Sequence, residues 1–494
     1  MSELVKYLDG LIWSPALIYL CLGAGLYFSI RTRFMQIRGF VEMLRLITSG
    51  QKSAAGLSSF QALALSLSGR IGIGNIAGIA TAITAGGPGA IFWMWVMAIL
   101  GAATSYIECT LAQIYKQKDD HGQYRGGPAY YIEKGMGQKW YAVTFAVATV
   151  LATGFLMPGV QANGIAVSMA NAWQVPNWAC AAGVVIMLGA IIFGGVRRIA
   201  NFVEIVVPFK AFGYMIVAIC VMVVNFDKMP GVMALIFDNA FNSQAQFGAI
   251  VGLAVQWGVK RGIYSNEAGQ GTGPHSAAAA EVSHPAKQGY VQAFSIYFDT
   301  AIVCTSTAFM ILSTGMYNVA NPKGGWIVEH LPGVETGPGY TQAAVESVFP
   351  GIGAGFIAIA ITAFAFTTIV AYYYMAETNV EYIFKNKAPG WAMLLLRSAM
   401  MVAVGFGAIR SAAVAWDLGD MGVGIMAWLN IIAILIIQKP ALIALRDYEA
   451  QKRAGLDPTF DPEKLGIANA DLWKKSPSTE FPDIPLQPVI SRPG

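Results

Sequence analysis

The chain holds 494 residues, 55% of them hydrophobic and only 12% charged, with a net charge of +4 and a mean hydropathy of +0.53. Soluble globular proteins carry about 25% charged residues, so too little polar material is present to coat a water-facing surface. That argues against a soluble enzyme, a disordered chain and a nucleic-acid binder, and the small net charge advertises no anionic polymer as partner. The composition is that of an all-α, polytopic membrane protein in contact with a lipid bilayer.

A membrane helix needs about 20 mostly apolar residues. The first candidate, 11–30, is charge-free, is followed by Arg31 and Arg33, and has no small-residue cleavage site, so it reads as a retained helix. Next come 58–84 and 89–114, separated by Gly86-Gly87-Pro88-Gly89, then 140–171 and 179–196, separated at Gln174-Val175-Pro176-Asn177. The spans 201–225, 243–275, 289–317, 350–384, 389–410 and 420–438 complete a set of eleven. The 54 glycines suit close helix packing. Cys21, Cys109, Cys180, Cys220 and Cys304 sit in apolar stretches without a C-x-x-C pair and read as buried thiols, neither a disulfide framework nor a metal site.

The basic residues test the threading. Arg31 to Lys52, Lys116 to Lys139, Arg197 and Arg198, Lys287, Lys385 and Lys387, and Lys439 to Arg453 fall on one face; Lys6, Lys228, Lys323 and Arg410 fall on the other. The positive-inside rule then predicts a multi-pass protein of the plasma (inner) membrane, N-terminus outside and C-terminus cytoplasmic. The stretch after Lys439 is polar, with seven prolines from Pro458 onward, and reads as an extended tail with no core of its own. The loop 318–349 reads as a plain connector, with a cap over an outer entrance as the alternative.

Two spans are too polar and glycine-rich to be simple helices. One carries Ser66-Leu67-Ser68-Gly69-Arg70-Ile71-Gly72-Ile73-Gly74-Asn75; the other carries Gln256 to Gly273, including Gly258, Gly262, Gly269, Gly271 and Gly273. Glycine lowers helix stability by about 1 kcal/mol per residue relative to alanine, so both favour local unwinding. Unwound backbone within a bilayer is tolerated only where it is buried or lines a cavity. Freed carbonyls suit a cation, and N–H groups at a half-helix N-terminus suit a carboxylate. Each interruption begins a five-helix block, 58–225 and 243–438, after an N-terminal segment 1–57 and around an outer loop 226–242, with a tail 439–494. Paired interruptions of this kind point to a transporter's midplane site.

Gly69-Arg70-Ile71-Gly72-Ile73-Gly74-Asn75-Ile76-Ala77-Gly78-Ile79-Ala80, Gly86-Gly87-Pro88-Gly89-Ala90-Ile91-Phe92-Trp93-Met94-Trp95, Arg125-Gly126-Gly127-Pro128-Ala129-Tyr130-Tyr131 and Ser265-Asn266-Glu267-Ala268-Gly269-Gln270-Gly271 together resemble the alanine or glycine:cation symporter family, to about Lys439. The resemblance implies a leucine-transporter-like five-plus-five inverted repeat preceded by one extra helix. It also implies uptake of small neutral amino acids such as L-alanine and glycine, coupled to sodium and sometimes to protons. No organic cofactor is implied; Na+ is the coupling ion. Where this family often has threonine, the chain has Ile73, which leaves the choice of cation open.

Ile73, Gly74 and Asn75 are expected to present N–H groups to the substrate carboxylate. Gly258 and Gly262 would offer carbonyls to its ammonium, and Trp257 and Ile263 would wall a methyl-sized pocket. Phe155 and Gln161, flanking Pro158, are candidates to line the pocket and bond substrate, with a plain helix–helix bond as the other reading of Gln161. Thr362 is a further substrate-side candidate. In the fold the resemblance implies, Thr367 and Thr368 join the carbonyls of Ser68 and Ile71 around sodium; taken alone, such hydroxyls bond their own helix. Arg70, Lys260, Arg261, Glu267 and Asp299 are charges inside spans, expected in gates or compensating pairs, with a carboxylate or substrate access beside Arg70. Glu108, Glu204, Lys210 and Glu377 are expected near span ends, facing water or snorkelling. His121, His275, His284 and His330 form no His-Glu-x-x-His pattern, and no Ser-His-Asp order stands out, so catalysis is not the expected role. A channel and a non-transporting sensor are the remaining rivals.

Overall fold

The computed structural model describes residues 2–48, 56–120, 122–241 and 251–474. Helices dominate because nearly every apolar stretch must satisfy its own backbone. In chain order the principal ones are α1 (Ser2–Ile12), α2 (Pro15–Arg31), α3 (Ser59–Arg70), α4 (Ala77–Gly86), α5 (Ala90–Ile114), α6 (Lys139–Trp173), α7 (Asn177–Ile192), α8 (Gly195–Val224), α9 (Val251–Asn266), α10 (Gly273–Ala279), α11 (Pro285–Thr314), α12 (Gly353–Ile383), α13 (Gly390–Ile409), α14 (Ala412–Ile437) and α15 (Lys439–Arg453). Among the described residues, eight helical runs are long and apolar enough to cross a membrane, and α4 and α7 are shorter apolar helices. The predicted spans 58–84 and 243–275 are each a pair, α3 with α4 and α9 with α10. Residues 242–250, at the start of the second, lie outside the described residues.

Helix α5 is the central strut, packed against α2, α9, α10 and α11, while α6 packs against α12 and α13. The α6–α13 crossing is closed by Gly159 and Gly407, since a Cβ on Gly407 would lie 2.5 Å from the Gly159 carbonyl oxygen. Helix α3 starts in a capping box, with Gln61 N–H donating to Ser58 Oγ and Ser58 N–H to Gln61 Oε1, each at 3.1 Å. Cys21, Cys109 and Cys304 are buried as expected; Cys180 and Cys220 are only half-buried, so the expectation of five buried thiols holds for three.

The tail is not extended as far as Lys474. Beyond α15 the chain returns to the membrane domain: Phe460 N–H donates to Ser283 O (3.0 Å), Lys287 pairs with Asp457 (2.7 Å), and Trp473 Nε1 donates to Gln113 O (2.9 Å). Phe460, Ile467 and Ala470 are buried there, enough apolar surface to dock a segment too short for a core of its own. The 318–349 segment is a small hairpin (Asn318–Ala320 with Trp326–Glu329) followed by a helix, Pro338–Glu346. It caps α4, with Thr84 Oγ1 3.3 Å from Thr336 Oγ1, so the cap reading replaces the connector.

Candidate functional site

The first interruption runs from Ile71 to Ile76. Helix α3 ends at Arg70, Ile73–Asn75 form one 3-10 turn, and α4 begins at Ala77. Asn75 closes the turn, its Oδ1 accepting from Gly72 N–H at 2.9 Å. Gly72 is required by close approach: a Cβ there would lie 2.5 Å from Thr368 Oγ1 and 2.9 Å from Gln161 Oε1. Gln161 Oε1 accepts from Ile73 N–H at 3.0 Å. One of the N–H groups expected to meet a substrate carboxylate thus already has a movable side-chain acceptor.

The second interruption lies further along than expected. Helix α9 continues through Gly258 and Gly262 to Asn266, and the backbone unwinds over Glu267–Thr272, with positive φ at Glu267 (59°), Gly269 (80°) and Gly271 (88°). The expectation that Gly258 and Gly262 free their carbonyls is therefore corrected. These glycines seat α9 on α5, where a Cβ on Gly258 would lie 2.5 Å from Ala90 O and 2.5 Å from Trp93 Cβ. The helix end that meets the first break is Tyr264–Asn266. Gly74 packs on Tyr264 and Ser265, and Asn75 Nδ2 donates to Asp299 Oδ1 (2.6 Å), whose Oδ2 accepts from Ser265 Oγ (2.8 Å) and Thr300 Oγ1 (2.8 Å). Asn75, Ser265 and Asp299 thus tie both breaks to α11, which widens into π-turns at Tyr297–Cys304.

The four expected sodium ligands fall into two pairs. Thr368 Oγ1 donates to Ser68 O at 2.7 Å across the α3–α12 contact, while also bonding Phe364 O at 3.1 Å. Thr367 Oγ1 lies 2.9 Å from Phe364 O and 3.1 Å from Ala363 O on its own helix. An amine already stands on the other pair: Lys210 Nζ donates to Ile71 O at 2.8 Å and to Thr367 Oγ1, with the Phe364 ring 4.9 Å away. Lys210 is buried rather than at the water, which corrects its expected place. Its helix α8 crosses α3 and α12 at that level and points the side chain inward. No sequence signal except a lone lysine in an apolar helix marked Lys210 as a partner of these oxygens.

Other expectations divide. Ile73, Gly74, Asn75, Gln161 and Ile263 are buried at the junction of the breaks. Phe155 is 39% exposed, because the π-turn at Ala152–Leu156 directs it away from the interior, so it lines no pocket there. Thr362 is half-buried and its hydroxyl bonds Ala358 O at 2.8 Å. Trp257 lines a separate cavity of ≈ 370 Å³ with Thr81, Arg261, Glu335, Trp416 and Asp420. Its floor is a stack in which Arg261 lies 4.5 Å over Trp416 and 5.3 Å over Tyr264 while pairing with Asp420. Lys260 bridges Asp420 (2.8 Å) and Asp9 (2.7 Å), and Trp13 Nε1 donates to Asp420 O (2.9 Å), so the N-terminal segment clamps this charge cluster. Lys260 and Arg261 therefore do form the expected compensating pairs.

Among the described residues, Arg70 pairs with no carboxylate directly. Its guanidinium donates to Gln292 O and Oε1 (each 3.3 Å), Ser295 Oγ and Ser105 Oγ (3.2 Å), while Glu108, Glu267 and Asp299 surround it at longer range. Glu108 is fully buried, accepting from Gly269 N–H (3.2 Å) and Asn430 Nδ2 (2.7 Å), and Glu377 is buried against Arg125 (3.0 Å). Neither faces water, because α5 and α12 are covered on all sides at these levels. Glu204 is half-buried and accepts from Gln61 Nε2 at 2.9 Å.

Comparison with known proteins agrees with this architecture. The profile of the sodium:alanine symporter family matches residues 1–462. YrbD of Bacillus subtilis (strain 168) is 58% identical over 475 residues, covering 96% of this chain and 98% of that protein. The sodium/proton-dependent alanine carrier protein of Bacillus sp. (strain PS3) is 54% identical, covering 87% and 97%. The sodium/alanine symporter AgcS of Methanococcus maripaludis is 35% identical, covering 88% and 94%. By name these relatives are carriers or symporters, and this chain is likewise a multi-pass membrane transporter and not an enzyme. The chain belongs to the sodium:alanine symporter family.

Proposed function

We propose that this chain carries L-alanine, and glycine by the same contacts, across the plasma (inner) membrane by sodium-coupled symport with alternating access. The observation that carries the reading is the meeting of the unwound segment Ile71–Ile76 with the end of α9, immediately before the second unwound segment Glu267–Thr272, where Asn75, Ser265 and Asp299 join them. Ile73–Asn75 supply N–H groups for the substrate carboxylate, with Gln161 releasing Ile73 N–H as substrate enters. The free carbonyls at the end of α9 then serve the ammonium. Ser68, Ile71, Thr367 and Thr368 hold Na+. The wall of Ile73 and Ile263 limits the side chain to about a methyl, since extra bulk costs about 1–3 kcal/mol.

The proposed threading is eleven spans, N-terminus outside and C-terminus cytoplasmic. Segment 1–57 precedes a first repeat 58–225, an outer loop 226–242, a second inverted repeat 243–438 and a tail 439–494. The ≈ 370 Å³ cavity above Arg261 and Trp416 is then the outer vestibule, shut from the site by that stack. The test is labelled-alanine uptake by the purified protein in liposomes with and without an inward sodium gradient. Uptake is expected to follow the gradient and to be competed by glycine but not leucine. Uptake indifferent to both sodium and proton gradients would sink the proposal. A proton-coupled reading is favoured by one observation, Lys210 standing on two of the sodium oxygens; uptake driven by a pH gradient without sodium would select it.

A further inference from the structure

The interior between the two breaks is short of positive charge. Glu108, Glu267 and Asp299 are each fully buried, and the cations facing them are Arg70, which acts on all three, and Lys210, which acts on Asp299. Even with Arg70 and Lys210 both charged, one carboxylate lacks a counter-ion, and a buried carboxylate in that position acquires a cation or a proton. Hydrogen bonding identifies which one. Asp299 accepts from Asn75, Ser265 and Thr300, and Glu108 accepts from Gly269 and Asn430. Glu267 has one hydrogen-bonding neighbour among the described residues, the Thr272 hydroxyl beside it, and that hydroxyl meets no other partner.

The chain goes out of its way to hold the group there. Glu267 adopts φ 59°, a conformation uncommon outside glycine. Gly69 leaves the room: a Cβ on it would lie 3.4 Å from both carboxylate oxygens and 3.1 Å from Met375 Cε. The other titratable groups facing Glu267 are Tyr264 on its own helix, Cys109 on α5 and Tyr372 on α12, and none brings positive charge. A proton needs one donor and one acceptor, which a carboxyl and the Thr272 hydroxyl supply; a metal ion needs a fuller shell of oxygens.

We propose that Glu267 is the binding site of a coupling proton, taken from water on one side of the membrane onto the carboxylate and returned to water on the other as the carrier turns over. This rests on the symport reading. The test uses full-length wild type and Glu267→Gln in liposomes, measuring alanine exchange, sodium-driven uptake and uptake driven by an inside-alkaline pH gradient at equal sodium. Wild type is expected to accumulate alanine under the pH gradient, and the ratio of that accumulation to exchange is expected to fall at least tenfold in the variant. A wild type without pH-driven accumulation, or a variant with an unchanged ratio, overturns the proposal. A variant that keeps the pH drive but loses its sodium dependence also overturns it, by giving sodium to this site. Should the variant be inactive in exchange, proton uptake by wild type in weakly buffered detergent decides, read with an indicator dye between pH 6 and 8. About one proton taken up on adding alanine with sodium supports the site, and none overturns it. A wild type moving no alanine under any gradient is a different result, the failure of the symport reading itself.

Discussion

Gly164→Ala isolates the role of Ile73 in shaping the substrate site. A methyl at Gly164 would overlap Ile73 Cδ1 and lie 2.6 Å from Cγ1, with Cβ at 3.6 Å. Rotation about χ2 can remove Cδ1, but Cγ1 moves only with χ1, which is stiff in a β-branched residue. Retreat is blocked too, because Ile73 is fully buried and its N–H is held by Gln161 three residues before Gly164 on the same helix. Overpacking of this kind costs about 1–3 kcal/mol. If it falls on the turn Ile73–Asn75, apparent affinity for alanine drops by about 5- to 150-fold. The assay is the concentration dependence of alanine uptake in liposomes, with thermal unfolding as a control for general damage. Ile73→Ala in the same background removes both clashing carbons and leaves Cβ at an ordinary distance, so the double variant should recover a coupling of about 0.5–3 kcal/mol. Ile73→Val keeps the atom at 2.6 Å and should recover much less. Wild-type affinity in Gly164→Ala with unchanged stability would refute the assignment of this turn to the substrate.

Thr368→Ala removes the hydroxyl that reaches Ser68 O on α3 and should raise the sodium needed for half-maximal uptake more than Thr367→Ala, whose hydroxyl bonds its own helix and accepts from Lys210; equal, unaltered sodium curves would take both out of the site. Lys210→Met withdraws a resident amine from Ile71 O and Thr367 Oγ1. The amine and a sodium ion would compete for the same two oxygens, so half-maximal sodium should fall, and a rise would show that the lysine supports the pocket instead of competing for it. Lys116, whose Nζ donates to Ala280 O and lies 5.3 Å from the Trp473 ring, is held down to about 7 by burial. Below that pH both docked and released tails carry the proton, and between about 7 and 10.4 only the released tail does. Docking therefore tightens as pH rises through that window. Proteolysis within 454–474 should slow from pH 6.5 to 8.5 relative to Lys116→Met, and an identical pH response in the two proteins would count against it.

What was legible in the sequence was whatever leaves a one-dimensional trace. Charge-free runs and their Gly-Pro breaks located the helices, and glycine clustered beside charge located both interruptions. The position of the second break was misplaced by several residues because glycine has two uses. Gly258 and Gly262 lie on the α5 face of an intact helix, where a missing Cβ permits packing, whereas Gly269 and Gly271 lie in the unwound segment and supply positive φ. Composition treats the two alike. Phe155 failed for a related reason: a one-residue π insertion rotates everything after it, and no periodicity announces the insertion.

The charged residues misread as span-end groups share one cause, and it bears on mechanism. Glu108 and Glu377 each sit within about two helical turns of a helix end, and Lys210 sits in the first half of the expected span 201–225, where sequence reasoning assigns water or headgroups. Yet α5, α8 and α12 pack against other helices at these levels, so distance from a helix end does not decide whether a side chain meets water. Once their partners are known the distinction is sharp. Glu377 is matched by Arg125 and is structural. Lys210 is matched by oxygens that are also proposed for sodium, and Glu108 lies in an enclosure with more carboxylates than cations. A fully matched buried charge has no reason to change state during a transport cycle, while an unmatched one must be compensated by something that enters. The interior of this carrier contains both kinds, and the unmatched kind is confined to the level where its two broken helices meet.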